Sequence, residues 1–129
     1  MLTRRIIYLI SFCLYLAAVA YLCFAKPNEV PNLPEFWFGL PADKIGHFLM
    51  FTPFPFLGYL AFYNRQMSRG RKTLLIIGLL ATGAAASAGT EQIQAILQYR
   101  TADIYDLLAN TIGLMCGGVA TLIYILVRE

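Results

Sequence analysis

The chain has 129 residues, of which 59% are hydrophobic and only 13% are charged. Soluble domains carry about 25% charged residues, so this composition excludes an ordinary soluble protein. The formal net charge is +3. Its distribution along the chain follows membrane topology and gives no indication of nucleic-acid binding.

Four apolar runs follow one another along the chain, and each is long enough to cross a membrane. A helix of about 20 apolar residues spans a hydrocarbon core of about 30 Å. We therefore predict an all-α membrane protein, a compact bundle of four transmembrane helices that forms a single domain over residues 1–129. The predicted spans are about 6–25, 45–63, 73–97 and 105–127.

The first run follows Arg4 and Arg5, and such a pair also opens a signal peptide. The apolar region of a signal peptide is only about 7–15 residues long, and no A-x-A-like site precedes a plausible cleavage point here. Ala25 before Lys26 is the weak candidate. We expect the first run to be retained as a membrane span.

The segment 26–42 and the second run are both shaped by proline. Prolines at positions 27, 31, 34 and 41 predict an irregular outer loop, and the aromatic residues at 36–38 are expected to rest on the membrane surface. Pro53 and Pro55 lie inside the second run, and each removes a helical hydrogen bond. A kink is therefore predicted there.

Small residues dominate the third run, and the fourth contains Gly113 and Gly117 at a GxxxG spacing. Small residues let membrane helices approach closely. We predict that the third helix is central and that the third and fourth helices pack antiparallel, with their small faces together and their polar ends meeting outside.

The positive charges sort to one side of a four-span topology. Seven of the ten Lys and Arg residues fall on the side of the N-terminus, the 64–72 loop and the C-terminus. Lys26, Lys44 and Arg100 fall on the other side. Positive charge concentrates in the cytoplasm, which predicts a multi-pass protein of the cell (inner) membrane with both termini cytoplasmic.

Polar side chains recur at helical spacing where the third span ends and the fourth begins. The i, i+3, i+7 pattern holds for Glu91, Gln94 and Gln98, and again for Asp103, Asp106 and Asn110, so each set shares one helix face. The second span starts with Asp43, Lys44 and His47, and Arg100 lies in the turn between the last two spans. Polar groups at membrane depth are costly and usually functional. The predicted ligand-binding residues are Asp43, Lys44, His47, Glu91, Gln94, Arg100, Asp103, Asp106 and Asn110.

In this predicted site, Lys44 and Arg100 would meet anionic groups, and the carboxylates and amides would orient them. An alternative is a set of ion pairs that only holds the helix ends together. A metal site is disfavoured because His47 is the single histidine, and no cofactor is expected. Acid–base catalysis by His47 and Glu91 is chemically permitted, but no G-x-S-x-G motif supports it, and Ser87 is the one serine near the cluster. We expect binding rather than catalysis.

Taken together, these residues resemble the VanZ-like family of bacterial integral membrane proteins. The resemblance rests on four segments over about residues 43–118: Asp43-Lys44-x-x-His47-Phe48, Glu91-x-x-Gln94, Arg100-x-x-Asp103-x-x-Asp106, and Asn110-x-x-Gly113 with a trailing Gly117. Where the family often has a tyrosine a few positions after the histidine, this chain has Phe51.

The resemblance implies an envelope function. The family's namesake is associated with reduced susceptibility to the glycopeptide teicoplanin, so the expected role is glycopeptide resistance or another cell-envelope function. The expected partner is a membrane lipid, a lipid-linked cell-wall precursor or an amphiphilic glycopeptide, bound through a polar or anionic headgroup at the outward-facing cluster. The alternatives are a membrane-embedded hydrolase or transferase acting on a lipid headgroup, and a structural partner-binding membrane subunit.

Overall fold

The computed structural model describes residues 2–25, 34–97 and 103–128. Three residues that the charge and polarity patterns place on the outer side, Lys26, Gln98 and Arg100, lie outside these ranges. Of the predicted ligand-binding residues, Arg100 is therefore the one whose position is not described.

Four helical segments are long and apolar enough to cross a membrane, with mean hydropathies from 1.4 to 2.3. They are α1 (Leu2–Phe24), the pair α2 (Ala42–Phe51) and α3 (Pro53–Phe62), α4 (Arg69–Ile96) and α5 (Ile104–Arg128). The prediction of an all-α bundle of four membrane-spanning helices is thus confirmed. Each helical segment begins one to four residues before the predicted span, because polar residues at the membrane surface continue the helix.

The surface of the bundle is apolar where a soluble protein would be polar. Large apolar side chains point outward from α4 and α5, including Leu74 at 68% exposure and Leu126 at 81%. The buried core is aromatic and aliphatic and is built around Phe12, Phe54 and Leu114. An exposed apolar surface of this extent suits hydrocarbon as the surrounding solvent.

The second span is interrupted at Thr52, between α2 and α3. Pro53 at the start of α3 has no backbone N–H and cannot continue the helical ladder. The Thr52 hydroxyl donates a hydrogen bond to the Phe48 carbonyl at 2.6 Å. The helix is thus divided at the position where the prolines predicted a kink, and a side-chain hydroxyl adds a hydrogen bond beside the break.

The glycines of α5 pack against this interrupted span. A Cβ at Gly113 would lie 2.5 Å from the Phe48 carbonyl oxygen, and a Cβ at Gly117 would overlap the Thr52 carbonyl oxygen. The GxxxG face therefore contacts the α2–α3 backbone, and the predicted packing of small faces between the third and fourth spans is wrong. In that interface a small residue of α4, Gly83, instead receives the large side chain of Leu114.

The second span, formed by α2 and α3, is the central element of the described bundle, since α1, α4 and α5 all pack against it. The prediction that the third span is central is therefore wrong. Most of the small residues of α4 face outward, among them Gly78 and Ala85, so their small size does not serve packing within this chain. Helix α1 lies at the side, mainly against α3, and the Tyr15 hydroxyl donates a hydrogen bond to the Met50 carbonyl.

A short β-hairpin precedes α2, where the sequence suggested an irregular loop. Strand β1 (Phe36–Trp37) pairs antiparallel with β2 (Leu40–Pro41). The turn residues Phe38 and Gly39 have φ values of 52° and 78°, and positive φ at both positions is the requirement of a type I′ hairpin. The aromatic side chains of this segment are exposed, which is consistent with a position on a membrane surface.

Candidate functional site

Most of the predicted ligand-binding residues lie together at the end of the bundle where α2 and α5 begin and α4 ends. We refer to this group as the polar cluster. It comprises Asp43, Lys44, His47, Ser87, Glu91, Asp103, Asp106 and Asn110. Its members come from three different helices and the residue before α5, so the cluster exists only in the folded bundle.

Lys44 is the hub of the ion pairs in the polar cluster. Its ammonium nitrogen lies 2.7 Å from Asp43 Oδ2, 2.7 Å from Asp103 Oδ2 and 2.5 Å from Asp106 Oδ1. Within the described ranges, Lys44 is the one Lys or Arg side chain that pairs with these carboxylates. One positive charge thus faces three negative charges, which leaves this part of the cluster acidic.

A chain of hydrogen bonds continues from the ion pairs into the bundle. His47 Nδ1 lies 2.9 Å from Asn110 Oδ1, and Asn110 Nδ2 donates to Ser87 Oγ at 2.9 Å. Asn110 and Ser87 are fully buried, and His47 is 7% exposed. Because each of these polar groups has a partner, this series of hydrogen bonds fixes the orientation of the His47 imidazole ring.

Glu91 is the least satisfied member of the cluster. Its Oε2 accepts a hydrogen bond from the Asp103 backbone N–H at 3.4 Å, while its buried Oε1 has no hydrogen-bond partner in the described part of the chain. Glu91 is only 8% exposed. A buried acceptor without a donor is costly and calls for an explanation such as a bound ion or ligand.

Three of these side chains converge on one point. His47, Glu91 and Asp106 each offer one potential ligand atom, and these atoms all lie within 4.8 Å of one another. His47 Nε2 and Asp106 Oδ2 are 3.5 Å apart. The arrangement can bind a cation or transfer a proton, because it combines an imidazole with two carboxylates in a buried setting.

Asp103 caps the start of α5 at the rim of the cluster. Its Oδ1 accepts a hydrogen bond from the Tyr105 backbone N–H at 2.9 Å. The Lys44 ammonium, and then this backbone N–H, hold the pKa of the Asp103 carboxyl below its ordinary value. Asp103 therefore stays ionised at neutral pH and retains its pairing with Lys44.

Gln94 points away from the polar cluster, although the sequence groups it with Glu91. Its Nε2 donates to the Cys23 carbonyl in the last turn of α1 at 2.8 Å, and the side chain is 2% exposed. Sequence spacing correctly places Glu91 and Gln94 on the buried side of α4. The two residues nevertheless contact different helices.

Ser87 joins the cluster without having been among the predicted ligand-binding residues. It lies four residues before Glu91 on the buried face of α4, and this i, i+4 spacing was the available signal. Its hydroxyl bonds to an amide and is fully buried, so the structure gives it a supporting contact to Asn110.

These features define a four-span membrane protein with a buried acidic cluster at one end. The chain belongs to the VanZ/LLP1 family, whose profile matches residues 12–128. The resemblance inferred from the short polar motifs is thus confirmed, and the match extends beyond them to the second half of α1 and to the rest of α5.

A curated relative shares sequence with most of this chain and adds no function. The chain is 33% identical over 113 residues to "Uncharacterized protein C11E3.10" of Schizosaccharomyces pombe, which covers 88% of this chain. The chain spans only 61% of the length of that fission yeast protein. No solved structure matches the chain significantly.

Proposed function

We propose that this protein binds the polar headgroup of a lipid, or of a lipid-linked molecule, in the polar cluster at the membrane boundary. The observation that carries the proposal is the burial of Glu91, Asp106 and Asn110, at 8%, 7% and 0% exposure, at the end of an apolar bundle. Apolar residues would hold helix ends together at least as well as buried ionic groups do. Such a cluster is therefore better explained by recognition of a polar ligand.

The charge of the cluster narrows the chemistry of the ligand. Because Lys44 already pairs with three carboxylates, it offers little to an incoming anion. The favoured contacts are hydroxyl and amine donors of a headgroup, to which carboxylates accept strong hydrogen bonds. An anionic headgroup requires a further cation beside Glu91 and Asp106.

The proposed location is the outer side of the cell membrane, supported by the excess of Lys and Arg at the opposite end. In a bacterial host, this placement suits a lipid-linked wall precursor or an amphiphilic glycopeptide, and with it a teicoplanin-type resistance role. The relative in fission yeast gives more weight to a headgroup found in membranes generally than to one confined to bacterial walls.

The proposal is tested with the full chain purified in detergent, reconstituted in mixed-lipid bilayers and analysed for retained lipid by native mass spectrometry. Glu91→Gln and Asp106→Asn are expected to lower lipid retention by at least about 10-fold, the equivalent of one strong charged hydrogen bond. The control is Glu35→Gln, which removes one exposed carboxylate outside the cluster at the same end of the bundle.

Unchanged retention in both cluster variants would overturn the proposal. If the variants instead lowered membrane abundance in proportion to every other effect, the cluster would be a structural element of a partner-binding subunit. Teicoplanin susceptibility of a sensitive host, measured beside abundance, then tests the resistance role separately.

A second candidate function is hydrolysis or transfer at a lipid headgroup, with His47 and Glu91 as acid and base. The specific observation in its favour is their convergence in one buried group within 4.8 Å. It predicts pH-dependent turnover of a phospholipid by the purified chain, abolished by His47→Asn in protein that still folds. Absence of turnover across lipid classes would leave binding as the function.

A further inference from the structure

We infer that His47, Glu91 and Asp106 form a binding site for one divalent transition-metal cation, with Zn²⁺ and Mn²⁺ as the best-fitting ions. The metal site stands on its own geometry. Its use, which is to give the acidic cluster affinity for the anionic part of a headgroup, rests on the proposed function.

The three side chains come from α2, α4 and α5, and all three are buried. Ligand atoms of a metal lie about 2.0–2.2 Å from the ion, so neighbouring ligand atoms in a site are about 3–4 Å apart. The separations within 4.8 Å here reach that range with small side-chain rotations.

The hydrogen-bond chain fixes which nitrogen of His47 faces the group. Asn110 Nδ2 donates to Ser87 Oγ, so its Oδ1 is the atom that faces His47 Nδ1. A carbonyl oxygen can only accept, so with Asn110 in this orientation His47 Nδ1 carries the proton. The neutral ring then presents the lone pair of Nε2, which is the arrangement of metal-bound histidines whose other N–H donates to a carbonyl.

Three acceptor atoms consequently point at one another. They are His47 Nε2, Asp106 Oδ2 at 3.5 Å from it, and a carboxylate oxygen of Glu91 within the same group. Protonation of His47 would satisfy Asp106 but would leave the buried Glu91 Oε1 without a partner among the residues that the structure describes. A single cation satisfies all three, because each contributes a lone pair to it.

Lys44 leaves this group open to a metal. Its ammonium pairs with Oδ1 of Asp106, which leaves Oδ2 on the side of His47. Imidazole favours zinc and related transition metals, and carboxylates also accept manganese. A set of one nitrogen and two oxygens thus disfavours Mg²⁺ and Ca²⁺. Three protein ligands leave a coordination position open, and a phosphate oxygen of a headgroup fits it chemically.

The test is metal binding by the full chain, purified in detergent and stripped with EDTA. Titration with Zn²⁺ or Mn²⁺ alone, followed by calorimetry and elemental analysis, is expected to give one ion per chain. Glu91→Gln and His47→Gln are expected to weaken binding by at least about 100-fold, since even second-shell changes cost 10–100-fold. Glu35→Gln, outside the cluster, is the control and is expected to bind as the wild type does.

A second measurement keeps the test independent of variants that fail to fold. Metal-edge X-ray absorption of the wild-type chain loaded with Zn²⁺ is expected to show one imidazole ligand with oxygen for the remainder. The metal site would be rejected if the wild-type chain bound Zn²⁺ no more tightly than Glu91→Gln does. It would also be rejected if the zinc spectrum showed no imidazole ligand.

The link to the headgroup has its own readout. EDTA is expected to release an anionic phospholipid from the wild-type chain, and inorganic phosphate competes only if the bare phosphate is the recognised group. A wild-type chain that retains lipid but binds no metal would reject the metal site and leave the proposed function standing. A wild-type chain that binds metal but retains no lipid would reject the proposed function and leave the metal site standing.

Discussion

Gln94 Nε2 donates a hydrogen bond to the Cys23 carbonyl oxygen at 2.8 Å, and this bond joins the last turn of α1 to α4. The side chain is 2% exposed, so water does not compete for the bond. The contact lies at the end of the bundle that carries the polar cluster, and it secures α1, the one described membrane span that contributes no side chain to that cluster.

Replacement of this amide by a thioether of similar size tests its contribution. Gln94→Met is expected to lower the free energy of unfolding by about 1–3 kcal/mol, the cost of losing a buried hydrogen bond. The measurement is equilibrium unfolding in mixed detergent micelles. Gln92→Met is the matched control, because Gln92 is exposed on the same helix, and an equal loss in both variants would contradict the assigned role.

Gly117 is expected to tolerate no side chain. Gly117→Ala places a Cβ on the Thr52 carbonyl and the Pro55 ring, and overpacking of this kind costs about 1–3 kcal/mol. The melting temperature in detergent reports the loss. Gly78→Ala is the control, since a Cβ there meets nothing within 4 Å and alanine is the better helix former. A Gly117→Ala protein as stable as the wild type would show that α5 packs differently.

Glu91→Gln is expected to stabilise the metal-free protein. The substitution keeps the size of the side chain but removes a buried charge whose Oε1 has no partner among the described residues. The expected gain in unfolding free energy is about 1–2 kcal/mol in EDTA, within the range for relief of an unpaired buried polar group. Added Zn²⁺ is expected to stabilise the wild type and not the variant. A destabilised variant in EDTA would indicate that Glu91 is a structural ion-pair partner.

The pairing of Asp103 predicts a specific dependence on pH. The pKa of its carboxyl is lower in the folded chain, first because of the Lys44 ammonium and then because of the Tyr105 N–H. The resulting stabilisation is complete above the ordinary aspartate pKa of about 4 and is lost as the pH falls through the lowered folded value. Asp103→Asn keeps a capping side chain but removes the charge.

The melting temperature of Asp103→Asn is therefore expected to lie below that of the wild type at pH 7 and to meet it in acid. Thermal unfolding over a series of pH values makes this comparison, with Glu35→Gln as the charge-matched control. A difference that is constant at every pH would mean that the ion pair with Lys44 does not contribute.

The predicted orientation is open to direct labelling. Single cysteines in a cysteine-free background at Glu35 and at Arg65 lie at opposite ends of the bundle, and both parent residues are exposed. A membrane-impermeant maleimide is expected to label position 35 in intact cells and position 65 only after lysis. The reverse pattern would invert the topology and place the polar cluster on the cytoplasmic side.

Composition and periodicity predicted the four spans because hydrocarbon imposes a length and a polarity that can be read from local sequence. The helical spacing of Glu91, Asp106 and Asn110 likewise brought them onto buried faces. Partners could not be predicted in this way. Gly117 meets Thr52 and Gln94 meets Cys23 because of how the helices are rotated about their axes, and several faces of this chain are small enough to serve as an interface.

The hairpin at residues 36–41 was missed for a different reason. Its turn is Phe38-Gly39, with positive φ at both positions, whereas sequence-based recognition of such turns relies on Asn-Gly or Asp-Gly. Surrounding prolines also argued for irregular backbone. The two strands have only two residues each, too few to produce an alternating pattern.

The contact of Gly113 with the Phe48 carbonyl lies next to the pairing of Asn110 with His47. Main-chain atoms of α2 and α5 therefore meet directly and set the spacing between these two helices. The main chain has no alternative rotamers, whereas a contact between two side chains shifts when either of them changes rotamer. An imidazole and an amide held by such a contact keep a nearly constant separation while lipids around the bundle rearrange. The absence of a side chain at Gly113 thus sets the distance between His47 and Asn110, about one helical turn away.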